Sequence, residues 1–267
     1  MTYSADIDRK HPACFVFLVD QSESMAEQCA GAEAGRSKAE ALAFGINGNL
    51  NEILIRCSKP EIRDYFHVAV IGYGASVHSE FSGFIPMSEM ALRARIEINV
   101  DPRTGAAAKS PIWLDAVADG RTPMCAALAA ARSLVAEWVS EHPKDFPPIV
   151  INISDGAATD GDPAVNARLL TAVSSTDGAA LLFNGHLSSV ESGAIEFPSA
   201  AENLPADKYA LKMFEISSVI PESMRTLAAN KLGFSIKPSG RGMVFNANFQ
   251  AIVTLLEIGT TMSGPVG

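Results

Sequence analysis

The stretch Ala13–Ser24, ACFVFLVDQSES, decides the fold. Its first part, Ala13–Val19, is an uninterrupted apolar run that ends at Asp20. Such a run is typical of a parallel strand that is buried on both faces of a sheet. Oxygen-bearing side chains follow at once, at Asp20, Ser22 and Ser24. The stretch therefore predicts a central strand with a loop of carboxylate and hydroxyl groups at its carboxyl end.

Strand-like and helix-like segments alternate along the rest of the chain. Further strands are predicted at Phe66–Tyr73, Ile149–Ile153, Ala179–Asn184, Lys212–Val219 and Met243–Phe245, with Val77–Phe81 returning antiparallel at an edge. Helices are predicted at Lys38–Arg56, Ala126–Val139, Asp162–Val173, Glu222–Leu232 and Phe249–Ile258. This alternation predicts a doubly wound α/β fold, with a mostly parallel central sheet, one antiparallel edge strand and helices on both faces.

The length of 267 residues fits one α/β domain with generous loops. We therefore predict a single domain over residues 1–267, with long loops at about 82–121 and 188–208. Within the first of these segments, a short helix is expected near Met87–Ile96. Asp101, Pro102, Gly105 and Pro111 make Val100–Gly120 look like an irregular loop.

Composition excludes several classes of function. Lys and Arg number 21 against 30 for Asp and Glu, which gives a net charge of −9. Such a surface repels nucleic-acid phosphates and anionic membranes, so neither is expected as a partner. The first 12 residues contain no apolar core of a secretory signal. The four cysteines form no CxxC pair, which favours buried free thiols and a cytoplasmic location.

Three predicted loops bring oxygen ligands to one edge of the sheet. The first loop carries Asp20, Ser22 and Ser24 after the first strand, and the second carries Thr122 before an Ala-rich helix. The third carries Asp155, directly after Ile149–Ser154. Loops at the carboxyl ends of parallel strands share one rim, where ligands of such sheets bind. Each of these residues alone has an ordinary role as a turn or cap residue. Together they form a ring of hard oxygen donors, which suits Mg²⁺, Mn²⁺ or Ca²⁺.

This arrangement resembles the metal-ion-dependent adhesion site of von Willebrand factor A (vWA) domains. The family pattern of Asp-x-Ser-x-Ser, a later Thr and a strand-terminal Asp is met by Asp20, Ser22, Ser24, Thr122 and Asp155. The resemblance extends over the strand and helix pattern from about residue 13 to residue 258. Gln21 and Glu23 depart from the small residues often found between the ligands, and Glu23 adds a carboxylate near the site.

The resemblance implies a division of labour among the five residues. Ser22, Ser24 and Thr122 would provide hydroxyl oxygens to the ion, directly or through water, whereas Asp20 and Asp155 would act mainly through water and hydrogen bonds. It also implies that a partner protein supplies an Asp or Glu as the last ligand of Mg²⁺ (or of Mn²⁺ or Ca²⁺). Bacterial domains of this kind often serve as adaptors beside protein kinases, phosphatases or AAA+ ATPases. We therefore expect a binding domain and not an enzyme.

An alternative function is a metal-assisted phosphatase that uses the same rim. The haloacid dehalogenase pattern, by contrast, requires a second Asp at position 22, where this chain has Ser. The segment Thr159–Asp162, TDGD, resembles part of a calcium loop but lacks the remaining EF-hand ligands, so helix capping by Asp162 is favoured.

Two further residues are candidate partner contacts. Glu23 lies between the proposed serine ligands, and Trp113 precedes Thr122 in the predicted loop. A loop tryptophan can anchor an interface. It can equally hold the loop onto the sheet, and the sequence does not distinguish these two roles.

Overall fold

A computed structural model describes residues 3–32, 35–58, 60–100, 107–189 and 193–260. The strands are β1 (Ala13–Asp20), β2 (Phe66–Tyr73), β3 (Val77–Ser79), β4 (Ile85–Pro86), β5 (Arg95–Val100), β6 (Ala107–Ile112), β7 (Ile149–Ser154), β8 (Leu181–Leu187), β9 (Ile195–Glu196) and β10 (Met243–Ala247). The α-helices are α1 (Lys38–Cys57), α2 (Met87–Arg93), α3 (Met124–Glu141), α4 (Pro163–Thr171), α5 (Lys208–Ile216), α6 (Glu222–Leu227) and α7 (Phe249–Thr260).

The central sheet has the strand order β3-β2-β1-β7-β8-β10-β9, with β4 also paired to β2. The five strands β2, β1, β7, β8 and β10 run parallel to one another, whereas β3 and β4 pair antiparallel with β2, and β9 pairs antiparallel with β10. The doubly wound, mostly parallel α/β fold is thus confirmed. After β1 the chain adds β2 on one side of β1, whereas β7 and the strands that follow it lie on the other side. The carboxyl ends of β1 and β7 therefore flank the topological switch point, where sheets of this type bind ligands.

Apolar side chains of β1 alternate between two cores, one on each face of the sheet. Phe15 and Phe17 face the core that contains α1 and α7, whereas Val16 and Leu18 face the core that contains α3 and α4. All four side chains are fully buried. This double burial explains why β1 lacks the polar alternation of a half-exposed strand.

Two predictions about secondary structure are wrong. The segment Val100–Gly120, predicted as an irregular loop, contains β6, which pairs antiparallel with β5 in a separate hairpin. Strand pairing between β5 and β6 outweighs the local turn signals there. Lys212–Val219, predicted as a strand, mostly belongs to α5. The side chain of Asp207 accepts a hydrogen bond from Ala210 N and caps that helix.

The other predicted helices and the buried cysteines are confirmed. The helices expected near Lys38, Ala126, Asp162, Glu222 and Phe249 are α1, α3, α4, α6 and α7, and a π-helical turn at Ala228–Leu232 extends α6. All four cysteines are buried free thiols. None of the described helices is long and apolar enough to span a membrane.

Candidate metal centre

Asp20 is the last residue of β1, and its carboxylate is almost completely buried. One oxygen, Oδ1, accepts a hydrogen bond from Ser22 N at 2.9 Å. The other, Oδ2, accepts one from Ser154 Oγ at 2.6 Å. Burial raises the pKa of Asp20, and repulsion from Asp155 adds to this, while the hydrogen bonds from Ser154 and Ser22 act in the opposite direction. The carboxylate is therefore held rigidly at the switch point.

Ser22, Ser24 and Asp155 form a continuous chain of oxygens at this end of the sheet. Ser22 Oγ and Ser24 Oγ are 3.1 Å apart, and Ser24 Oγ donates to Asp155 Oδ1 at 2.7 Å. Neighbouring ligands in an octahedral shell with Mg–O distances of 2.0–2.1 Å are about 3 Å apart. The two serine oxygens thus have the chemistry and the separation that adjacent ligands of one small cation require, and Asp155 holds one of them by a hydrogen bond. Met25 is fully buried beneath the loop.

Backbone contacts bring the loop that carries Thr122 to the first loop. Asp119 N donates to Gln21 O at 2.6 Å, and Glu23 N donates to Gly120 O at 3.0 Å. Thr122 itself is buried, and its backbone N donates to Thr159 Oγ1 at 3.1 Å. These contacts place Thr122 beside the serine-containing loop.

This close approach requires glycine at two positions. Gly120 has a φ of +82°, a conformation that L side chains rarely adopt, and a Cβ there would lie 2.4 Å from Ala75 N. A Cβ at Gly74 would lie 2.5 Å from Asp119 O and 2.7 Å from Gln21 O. The two glycines therefore allow the β2–β3 turn and both site loops to meet backbone to backbone.

Lys38 is a member of the site that the sequence analysis missed. Its Nζ donates to Asp155 Oδ2 and to Glu27 Oε2, each at 2.8 Å. Burial lowers the pKa of Lys38, but hydrogen bonds and attraction to Asp155 and Glu27 outweigh this effect, so the pKa is raised. The available signal was the capping box of Ser37 and Glu40, which starts α1 and places Lys38 in its first turn. The capping box indicates where the helix starts, but it does not indicate the tertiary contact between Lys38 and Asp155.

The two candidate partner contacts differ in their surroundings. Glu23 is exposed in the short 3₁₀ helix that follows Ser22. Trp113 is half-buried, and its indole Nε1 donates to Met90 O at 2.7 Å. The side chain of Asn47 accepts hydrogen bonds from Trp113 N and Leu114 N. These contacts favour the second of the two roles considered for Trp113, in which it holds its segment onto α1 and α2.

The acidic residues of the TDGD segment cap helices, in line with the prediction for Asp162. The side chain of Asp162 accepts a hydrogen bond from Ala164 N at the start of α4. The carboxylate of Asp160 accepts from Cys125 N and Ala126 N at the start of α3. Across the described ranges, no group of three or more His, Cys, Asp or Glu side chains could hold a metal ion. The candidate centre consequently depends on hydroxyl groups together with its carboxylates.

Comparisons with known proteins show similarity at the level of fold. A scan against protein-family models and a search of curated proteins found no match. Among solved structures, the pilus adhesin SpaC from Lactobacillus rhamnosus GG matches with a TM-score of 0.42 and 13% identity, over 66% of this chain and 24% of SpaC. The vWF domain of the type V pili tip protein Mfa5 from Porphyromonas gingivalis matches with a TM-score of 0.36 and 16% identity, over 55% of this chain and 39% of that one.

A third structure, BatB from Bacteroides thetaiotaomicron, matches with a TM-score of 0.41 and 12% identity, over 65% of this chain and 66% of BatB. This chain thus covers a quarter to two-fifths of the two pilus proteins and two-thirds of BatB. Similarity at this level concerns the fold alone, and the chemistry of the candidate centre is argued from the residues of this chain.

Proposed function

We propose that this chain is a divalent-metal-dependent protein-binding domain that engages an acidic residue of a partner protein. The observation that carries the proposal is the linked set of oxygens from Ser22, Ser24 and Asp155, with neighbours no more than 3.1 Å apart beside the buried Asp20. This set lies at the switch point of a doubly wound sheet, where such sheets bind ligands.

Each residue has a distinct task in this proposal. Ser22, Ser24 and Thr122 provide neutral hydroxyl oxygens to the ion. Asp20 orients the loop by accepting a hydrogen bond from Ser22 N, and Asp155 orients Ser24 by accepting a hydrogen bond from its hydroxyl group. A bound Mg²⁺ or Mn²⁺ supplies a strongly electrophilic centre, because most of its protein ligands are uncharged. A carboxylate from a partner is therefore the favoured additional ligand.

We propose binding without hydrolysis at this rim. Both carboxylates nearest the serines already accept hydrogen bonds, Asp20 from Ser22 and Ser154, and Asp155 from Ser24 and Lys38. This arrangement supports a role in holding a ligand, because both carboxylates are engaged in fixing the serine-containing loop, the turn at Asp155 and Lys38.

Calorimetric titration with Mg²⁺ and Mn²⁺ tests the metal site. The wild-type protein should bind one equivalent, and Asp20→Asn and Thr122→Ala should each weaken binding by at least about tenfold, as expected for changes close to a metal. Asn is chosen at position 20 because it preserves the buried volume there. Thr171→Ala is a matched control, since Thr171 lies at the end of α4, and it should leave the affinity unchanged.

A second titration tests the partner chemistry. With Mg²⁺ present, a short peptide with one Asp should bind more tightly than the same peptide with Asn, and EDTA should abolish the difference. Wild-type protein that binds neither ion contradicts the metal site. Equal affinity for the two peptides in the metal-loaded protein contradicts the proposed recognition of a carboxylate.

A further inference from the structure

We infer that Lys38 weakens metal binding at the proposed centre, because its ammonium is an internal cation that holds Asp155 when no metal is bound. This inference rests on the proposed function and adds its regulation. The side chain of Lys38 is 5% exposed and that of Asp155 is 2% exposed, so the pair is shielded from solvent. A contact between buried charges is screened far less by salt than one at the surface.

The position of Lys38 argues against a simple role in starting α1. The amino end of a helix carries a partial positive charge, which disfavours a cation in the first turn. The capping box of Ser37 and Glu40 already satisfies the backbone there. Burial of an ammonium is also costly unless it is well paired. Lys38 is accommodated at this position because Asp155 and Glu27 each accept one of its hydrogen bonds.

The contacts of Asp155 show how the ammonium opposes a metal ion. Its Oδ1 accepts from Ser24 Oγ, and its Oδ2 accepts from Lys38 Nζ. Both oxygens are thus engaged, and the lysine neutralises one of the carboxylates that would attract a divalent cation. An ion beside Ser24 also experiences direct repulsion from the ammonium across Asp155. A partner carboxylate would offset this repulsion, so metal and acidic partner should bind cooperatively.

Glu27 connects the lysine to a second loop. It is largely exposed, and its Oε2 accepts from both Lys38 Nζ and Ser189 Oγ. These hydrogen bonds lower the pKa of Glu27, the one from Lys38 most strongly. Glu27 thus shares the ammonium with Asp155, and its removal should leave Lys38 held by Asp155 alone.

The experiment measures Mg²⁺ affinity and the free energy of unfolding in EDTA for Lys38→Met, Lys38→Arg and Glu27→Gln in the full chain. Lys38→Met should lower the Kd for Mg²⁺ by about tenfold or more, since one positive charge is removed near the ion. The same variant should be less stable without metal, because Asp155 loses its partner. Lys38→Arg should stay close to wild type, and Glu27→Gln should raise the Kd. Lys212→Met is the matched control for loss of a lysine. Lys212 lies on α5 and pairs with Asp162 and Glu215, and its replacement should leave the Kd unchanged.

A Kd of Lys38→Met that equals or exceeds the wild-type value overturns the inference, while the metal site itself stands. Absence of Mg²⁺ binding in both proteins overturns the inference and the proposed function together. Mg²⁺ binding by Lys38→Met but not by the wild-type protein supports both the inference and the metal site. If Lys38→Met does not fold, Glu27→Gln decides the matter, and a Kd at or below that of wild type contradicts the role of Lys38.

Discussion

Ser154 donates a 2.6 Å hydrogen bond to Asp20, and so the last residue of β7 holds the last residue of β1. Both side chains are buried. Ser154 Oγ also accepts from Gly156 N, which links the same hydroxyl to the turn that contains Asp155. One side chain therefore joins the two loops that carry the candidate carboxylates, across the switch point of the sheet.

Ser154→Ala should weaken Mg²⁺ binding without removing any proposed ligand. The change frees one oxygen of Asp20 and loosens the turn at Asp155, and loss of such supporting contacts typically costs about 10–100-fold in metal affinity. The free energy of unfolding should fall by about 1–3 kcal/mol, because Asp20 becomes a buried acceptor with one unsatisfied oxygen. Calorimetry and urea denaturation measure the two effects. Ser133→Ala, on an exposed surface of α3, should change neither, and an unchanged Kd in Ser154→Ala would contradict the supporting role.

Trp113→Ala should destabilise the protein and leave the Mg²⁺ Kd within about twofold of wild type. The half-buried indole packs against the core, so its truncation should cost roughly 2–4 kcal/mol. Trp113→Phe should cost less, since it retains most of the ring contact and loses mainly the hydrogen bond to Met90 O. Urea denaturation and calorimetry test this pair. Unchanged stability in Trp113→Ala, together with lost peptide binding, would instead favour a direct contact with the partner.

Stability should fall as the pH drops below about 6.5, in part because of His67. Burial lowers the pKa of His67 and the nearby His142 adds to the shift, while Asp64 opposes it. The folded state therefore binds the proton less tightly than the unfolded state, so the stability present above the unfolded pKa is lost as the pH falls. The His67 ring centroid lies 5.0 Å from that of Trp138, and His67→Phe preserves an aromatic ring there. The free energy of unfolding between pH 7.5 and 5.5 should depend less steeply on pH in this variant, and equal slopes would refute the assignment to His67.

Metal-loaded protein should release no phosphate from a generic phosphate ester. The proposed centre binds a carboxylate, and its own carboxylates already accept hydrogen bonds from Ser154, Ser24 and Lys38. A colorimetric assay with p-nitrophenyl phosphate and Mg²⁺ or Mn²⁺ measures this directly. Turnover that requires metal and disappears in Asp155→Ala would support the phosphatase alternative.

Local sequence was sufficient for the fold class and for the order of the candidate ligands. The apolar run of β1 must be buried on both faces, and only a layered α/β sheet provides this for a strand followed by an amphipathic helix. Asp20 ends β1 and Asp155 directly follows β7, and both residues therefore lie at one edge, because parallel strands share a direction. The strand β6 and the helix α5 were not predicted. Pairing with β5 outweighed the turn residues around β6, and capping by Asp207 outweighed the strand-like pattern of α5.

Contacts between distant segments were decided by the tertiary structure alone. Lys38 is 117 residues from Asp155 in the chain, and no periodicity or spacing indicates that its ammonium lies against that carboxylate. The attachment of Trp113 to Met90 and Asn47 likewise depends on how the β5–β6 hairpin packs on α1 and α2. Most of the secondary structure follows from patterns within a few residues of each other. The charge and rigidity of the candidate centre depend on side chains that meet only after the sheet and helices have packed.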